Sequence, residues 1–185
     1  VEYKNQKYYD IDIRDMKRRL PVVKVKEGLW IASFVILGDV ELTSHCADEL
    51  KKELEKLEFD YLVGPEAKVL PLLHIVAERL GFKDYIVCRK ERKAYMKDAV
   101  VYDVKSITTQ RKQQLVLNGS DAEKIKGKKV VLLDDVVSTG GTFNSMEKIL
   151  EKAGAEIVGR AAVLKEGDTY KKDVIYLEEL PIFTK

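Results

Sequence analysis

Apolar residues along this chain follow two alternating rhythms. Short runs rich in β-branched and aliphatic side chains, at Leu29–Leu37, Phe59–Val63, Tyr85–Cys88, Val130–Leu133, Ile157–Leu164 and Val174–Leu177, have the length and composition of buried strands. Between them lie stretches with helical spacing. Ala47, Leu50, Leu54 and Leu57 make one stripe within Thr43–Leu57, and Phe143, Met146, Ile149, Leu150 and Ala153 make another. The segment from Ala67 to about Leu80 is apolar nearly all round, which predicts a central helix with His74 as a satisfied core histidine. Gln113–Leu117 reads as a return strand, Asn118-Gly119 as a turn, Lys165–Asp168 as another turn and Leu180–Phe183 as an apolar tail. Residues 1–28 are mixed, with only Val22–Val25 suggesting a strand that turns at Glu27-Gly28 into the next. The alternation of strand and helix predicts an α/β fold: a mainly parallel sheet flanked by helices, with its site at the strands' C-terminal ends.

Composition narrows the class. At 185 residues the chain suits one domain with a real core, and 45% of it is apolar. Charged residues make up 35%, but 33 basic against 31 acidic leave a net charge of only +2, so no general polyanion binder is indicated. The basic patch at Arg14, Lys17, Arg18 and Arg19 reads as a solvated face, and nucleic acid is not an expected partner. Two cysteines, Cys46 and Cys88, are too few for a disulfide framework and fit a reducing, cytoplasmic setting. No apolar run is long enough to suggest a membrane span. His45, beside Cys46, lacks further ligands at metal spacing and reads as a surface residue.

The chemistry concentrates in Val130–Thr142, reading Val-Val-Leu-Leu-Asp-Asp-Val-Val-Ser-Thr-Gly-Gly-Thr. A buried strand runs to an acidic tip, a small-residue loop and a helix start. Glycines let backbone amides approach a ligand, hydroxyls of Ser138, Thr139 and Thr142 add donors, and a helix N-terminus adds free N–H groups with partial positive charge. That is a phosphate cradle. Asp134 and Asp135 would repel a phosphate; they suit a diol or a hydrated metal ion. A lone Asp-Asp pair could simply end a strand and Thr142 could simply cap a helix. The whole run instead describes a ribose 5-phosphate site. Neither the Gly-x-x-x-x-Gly-Lys-Ser/Thr loop nor a Gly-x-Gly-x-x-Gly after a strand occurs.

A second strand–loop–helix, Gly64-Pro65-Glu66-Ala67-Lys68, repeats the geometry, with Lys68 able to neutralise an anion. Between Arg89 and Lys112 basic residues outnumber acidic ones eight to three, in a connector suited to covering a polyanion.

The run Val130–Thr142 resembles the signature of the type I phosphoribosyltransferases. Glu66-Ala67-Lys68-Val69 is similar to the Glu-Ala-Arg-Gly of the adenine-type members, with lysine replacing arginine. The resemblance covers about residues 58–168. It implies a core at about 41–166 and a small hood from about 1–40 and 167–185. It also implies Mg²⁺-dependent transfer of ribose 5-phosphate from phosphoribosyl pyrophosphate to a purine base, adenine favoured, by a cytoplasmic homodimer. On it, Val137, Ser138, Thr139, Gly140, Gly141 and Thr142 hold the 5-phosphate. Asp134 and Asp135 take the ribose hydroxyls, partly through metal-bound water. Glu66, Ala67, Lys68, Arg89 and Lys93 collect pyrophosphate, and Tyr102, Lys105 and Ser106 belong to a flexible lid. Asp134, Asp135, Lys68 and Arg89 are the expected catalytic set. The lid departs from the adenine enzymes, which tend to carry a Glu-Tyr pair; here Val101-Tyr102-Asp103 and Ser106-Ile107-Thr108-Thr109 stand in its place, leaving the proton-handling glutamate without a counterpart. Hypoxanthine, guanine or xanthine remain alternative acceptors. So does a regulator that senses the donor without turning it over, although the 57 residues ahead of the stretch that carries the resemblance leave limited room for a DNA-binding domain.

Overall fold

A computed structural model describes residues 1–104 and 113–185. Its centre is a sheet of five parallel strands in the order β10-β9-β8-β4-β5, comprising β4 (Tyr61–Pro65), β5 (Ile86–Cys88), β8 (Lys129–Val137), β9 (Glu156–Glu166) and β10 (Ile175–Leu180). Such a sheet must be covered on both faces, which is why its strands read as continuous apolar runs. Helices α1 (Val40–Leu54) and α2 (Leu70–Arg79) pack one face around Leu50, Leu54, Leu73, Val76, Val131 and Leu133. Helices α3 (Gly119–Ile125) and α4 (Gly141–Lys152) pack the other around Ile125, Phe143, Met146, Leu150, Val130 and Leu132. No helix among the described residues is long and apolar enough to cross a membrane.

The chain ends build a second sheet, order β1-β2-β3-β11, from β1 (Tyr8–Ile13), β2 (Met16–Lys26), β3 (Leu29–Ala32) and β11 (Ile182–Thr184). It stands over the main sheet as a hood. Tyr3 stacks on Trp30 with ring centroids 4.1 Å apart, and Phe183 is buried beneath Tyr9. A third, two-stranded antiparallel ribbon joins β6 (Val100–Val104) to β7 (Gln113–Leu117).

Several expectations change. Residues 8–26, without clear pattern in the sequence, form a hairpin whose outer positions are largely solvated, so the polar residues that obscure its alternation belong to an exposed face. The strand expected over Leu29–Leu37 stops at Ala32, and Ser33–Leu37 turns towards α1. Asn118-Gly119 opens a short helix rather than a turn. Lys165 and Glu166 continue β9, and the apolar tail becomes β11, paired with β3. The second core helix starts at Leu70 rather than Ala67 and is not apolar all round: Leu72, Leu73, Val76 and Ala77 are buried, whereas Pro71 and His74 face outward. His74 is therefore no core histidine; it lies edge-on to Tyr85 at 5.8 Å.

Candidate active site

Strand order places the site. From β4 the chain moves outward to β5 on one side, then returns to β8 on the other side of β4, so connections leave the β4–β8 pair in opposite directions. A crevice opens at the C-terminal ends of such a pair. The two strands run together from Tyr61 opposite Val130 to Val63 opposite Leu132, beyond which no further pairs form. The adjoining loops meet over that opening. Gly64 permits the closeness: a Cβ there would lie 2.9 Å from Leu73 Cδ2 and 3.1 Å from the Leu133 carbonyl.

Asp134 and Asp135 lie within β8, which runs on to Val137, rather than past its end. Pairing to β9 alone carries the strand over that last stretch, so the carboxylates keep strand geometry while facing the open crevice. They are 8% and 4% exposed. Asp134 Oδ1 accepts from the Asp135 amide at 2.8 Å, and Asp135 Oδ1 accepts from the Val136 amide at 3.0 Å. Burial, then the neighbouring Asp135 charge, pushes the Asp134 carboxyl well above the usual carboxylate range. Asp135 Oδ2 is buried with no hydrogen-bond partner among the described residues; Lys68 Nζ stands 3.4 Å away as an ion pair without hydrogen-bond geometry. One carboxylate oxygen of the pair is thus buried and without a donor.

Val137–Thr142 turns immediately from β8 into α4. Gly140 adopts φ +80°, its ring neighbour Tyr170 sitting where a Cβ would fall. Among the described residues no side chain caps α4, so the amides of its first turn are left for a ligand at the crevice. The result is an anion-accepting loop beside two carboxylates.

The remaining expected residues divide. Glu66 and Lys68 line the same cavity, whose volume is about 1370 Å³. Ala67 is exposed between them, and the Glu66–Ala67 peptide is cis. Arg89, expected to face the anion, is turned instead into an ion pair with Glu66, and its Nη1 donates to Tyr95 Oη at 3.1 Å. Glu66 also accepts from the Lys90 amide at 2.8 Å. The nearer carboxylate captures the guanidinium, and together they brace the loop from behind. Lys93 pairs with Glu91, and Tyr102 packs on the face shared with α4; neither is on the cavity wall. Lys105, Ser106, Thr108 and Thr109 lie outside the described residues.

The cavity also has walls that sequence reasoning left open. Ile31–Val35 from the hood, with buried Phe34 among them, line it together with Leu180 and Glu166. Phe34 sits within the stretch read as a single strand, Leu29–Leu37, and Glu166 within the stretch read as a turn, so neither pattern marked a cavity wall. Lys90 and Glu91, with Val104, Gln114 and Leu115 from the β6–β7 ribbon, also line it.

Comparison with known proteins agrees with this geometry. The family model described as "Phosphoribosyl transferase domain" matches residues 40–182. An adenine phosphoribosyltransferase of Acetivibrio thermocellus is 34% identical over 152 residues, covering 80% of this chain and 84% of that protein. One from Thermosipho africanus is 28% identical over 177 residues, covering 92% and 96%. The crystal structure of the Thermoanaerobacter pseudethanolicus adenine phosphoribosyltransferase superposes with TM-score 0.71 at 22% identity, covering 86% of this chain and 95% of that one. The Saccharomyces cerevisiae enzyme, solved with an imino-altritol bisphosphate and adenine, gives 0.68 at 18%, covering 92% and 94%. At those identities the likeness of the structures is one of fold.

Proposed function

The chain belongs to the phosphoribosyl transferase domain family, and from that premise we propose that it makes a purine nucleoside monophosphate and pyrophosphate from phosphoribosyl pyrophosphate and a free purine, adenine first. The observation that carries the reading is the meeting, in one crevice, of a buried carboxylate pair and a glycine-bearing loop with an uncapped helix start. One half accepts a diol and the other an anion, and the two adjoin along one stretch of chain, as the groups of a ribose phosphate do. The curated relatives with adenine in their names favour that base.

The roles follow from charge and position. Amides and hydroxyls of Val137–Thr142 receive the 5-phosphate. Asp134 and Asp135 accept from the ribose hydroxyls, which pins C1 in the cavity between the hood and Lys68. As the C1–pyrophosphate bond breaks ahead of attack, positive charge grows on the sugar and negative charge on the leaving group. The carboxylates stabilise the first and Lys68 the second. Entry of the diol gives Asp135 Oδ2 the donor it lacks and frees Lys68 for pyrophosphate. Arg89 orients the loop through Glu66 rather than meeting pyrophosphate first. Phe34 and the backbone of Ser33–Val35 take the flat base against Leu180.

Mg²⁺ fits this donor set. Two carboxylates with one unfilled oxygen suit a hydrated ion held chiefly by donor oxygens, and among the described residues no cluster of three or more His, Cys, Asp or Glu offers a dedicated cage. When bound, the ion would neutralise the departing pyrophosphate. The same reading treats residues 41–166 as the core, 1–40 and 167–185 as the hood, and the enzyme as a cytoplasmic homodimer.

The test is pyrophosphate release from phosphoribosyl pyrophosphate and Mg²⁺ with adenine, hypoxanthine, guanine, xanthine, uracil and orotate in separate reactions. Release with adenine alone is expected. Release with a 6-oxopurine only would reassign the acceptor, and donor binding without release would make the protein a sensor.

A further inference from the structure

Tyr170 takes no part in the roles above, yet it is only 3% exposed and lies against the anion loop. A Cβ built on Gly140 would fall 2.2 Å from Tyr170 Cδ2 and 2.4 Å from Cε2, so the ring packs directly on the Gly140 backbone. Phe143, on the first turn of α4, meets the same ring at a centroid distance of 6.0 Å. The connector bearing Tyr170 is itself tied to α4. Lys172 Nζ donates to Asn144 Oδ1 at 3.1 Å and to Glu147 Oε2 at 2.5 Å, and Arg160 Nε donates to Glu147 Oε1 at 2.5 Å. Glu147 is 5% exposed, so this four-residue cluster binds β9, α4 and the connector behind the loop.

The loop needs such support. Gly140 holds a left-handed conformation, and among the described residues no side chain caps the helix that follows. A glycine-containing loop with free amides has many alternatives to the one arrangement in which those amides converge. A flat, buried ring against the glycine removes them before any ligand arrives. A side chain at position 140 would abolish the contact, so Gly140 and Tyr170 act as one unit.

We propose that Tyr170 is a positioning residue for the sugar-phosphate half of the site: its ring fixes Gly140, and hence the converging amides, without touching the ligand. This rests on the reading of Val137–Thr142 as the 5-phosphate loop. The pyrophosphate half, built on β4 and Lys68, is reached by no part of this cluster and serves as an internal control.

Binding of ribose 5-phosphate and of magnesium pyrophosphate to the full chain, measured by titration calorimetry, separates the possibilities. Tyr170→Ala should weaken ribose 5-phosphate at least tenfold and leave pyrophosphate within about twofold, while Tyr170→Phe, which keeps the ring, binds both as the unaltered protein does. In turnover, the alanine variant should raise KM for the donor more than it lowers kcat. If Tyr170→Ala does not fold, Tyr170→Leu, which keeps apolar bulk without the flat face, takes its place under the same criteria. Unchanged ribose 5-phosphate affinity, or equal loss of both ligands, overturns the proposal. Failure of the unaltered protein to bind ribose 5-phosphate overturns the loop assignment as well.

Discussion

Two adjacent carboxylates in a dry crevice cannot both be comfortable as anions. Asp134 bears the conflict: burial and the Asp135 charge raise its proton affinity, and the Lys68 charge offsets only part of that. The sign for stability follows. A carboxyl whose folded-state proton affinity is raised costs nothing below the ordinary carboxylate range. As pH rises above that range the unfolded chain ionises while the folded one resists, and stability falls. Asp134→Asn should therefore raise the unfolding free energy at neutral pH by on the order of 1–2 kcal/mol. At low pH the gain should vanish, and turnover should drop by about 100-fold or more. Thermal unfolding of both proteins over a pH series, beside pyrophosphate release, checks each part. Lys68 gives the complementary case. Lys68→Ala should lower turnover by about 10- to 100-fold through lost stabilisation of the leaving group, while ribose 5-phosphate affinity changes little; steady-state rates paired with calorimetry decide it.

At the scale of elements, the hood lines the cavity with Ile31–Val35, while the strands of the parallel sheet and the loops that follow them bring its charged residues; on the proposed reading the first wall takes the acceptor. Phe34→Ala should thus raise KM for the base severalfold and leave donor affinity unaltered, as measured by varying each substrate in turn. Beneath the loops, Gly64 lets β4 approach α2 and β8, and Gly64→Ala meets backbone as well as side-chain atoms at about 3 Å. The extra methyl should cost about 1–3 kcal/mol of stability, seen as a lower denaturant midpoint with unchanged slope. The sequence announced the parallel strands because burial on both faces demands unbroken apolar runs, as at Val130–Leu133. It left the β1–β2 hairpin unannounced because a mostly solvated strand such as Met16–Lys26 can carry Lys and Arg at outward positions. The signature loop was legible because it is contiguous. Arg89 was legible as charge but not as direction, since its engagement depends on Glu66, distant in sequence and adjacent only after β4 and β5 pair.

For the whole molecule, the site stands where the two sheets meet the first turn of α4, so occupying it should stiffen the fold around it. A ligand that binds only the native state at 100 times its Kd adds about 2.7 kcal/mol to the unfolding free energy. For a chain of this size each kcal/mol is worth about 2–4 °C in Tm, so phosphoribosyl pyrophosphate with Mg²⁺ should raise Tm by about 5–10 °C. The charge distribution makes the metal necessary to that shift. The donor's pyrophosphate must lie near Asp134, Asp135, Glu66 and Glu91, against which Lys68 and Lys90 are the cationic side chains on the cavity wall among the described residues. Glu66 and Glu91 are already paired with Arg89 and Lys93, so what the donor meets is two lysines beside Asp135, too little positive charge to offset a pyrophosphate without a divalent ion. Chelation with EDTA should then remove most of the donor-induced shift while leaving the Tm of the ligand-free protein unchanged, because the fold itself rests on apolar packing and its own hydrogen bonds. A Tm that fell on chelation without donor would indicate a structural metal. A shift that survived chelation would mean that Lys68 and Lys90, with the connector from Arg89 onward, neutralise the donor by themselves.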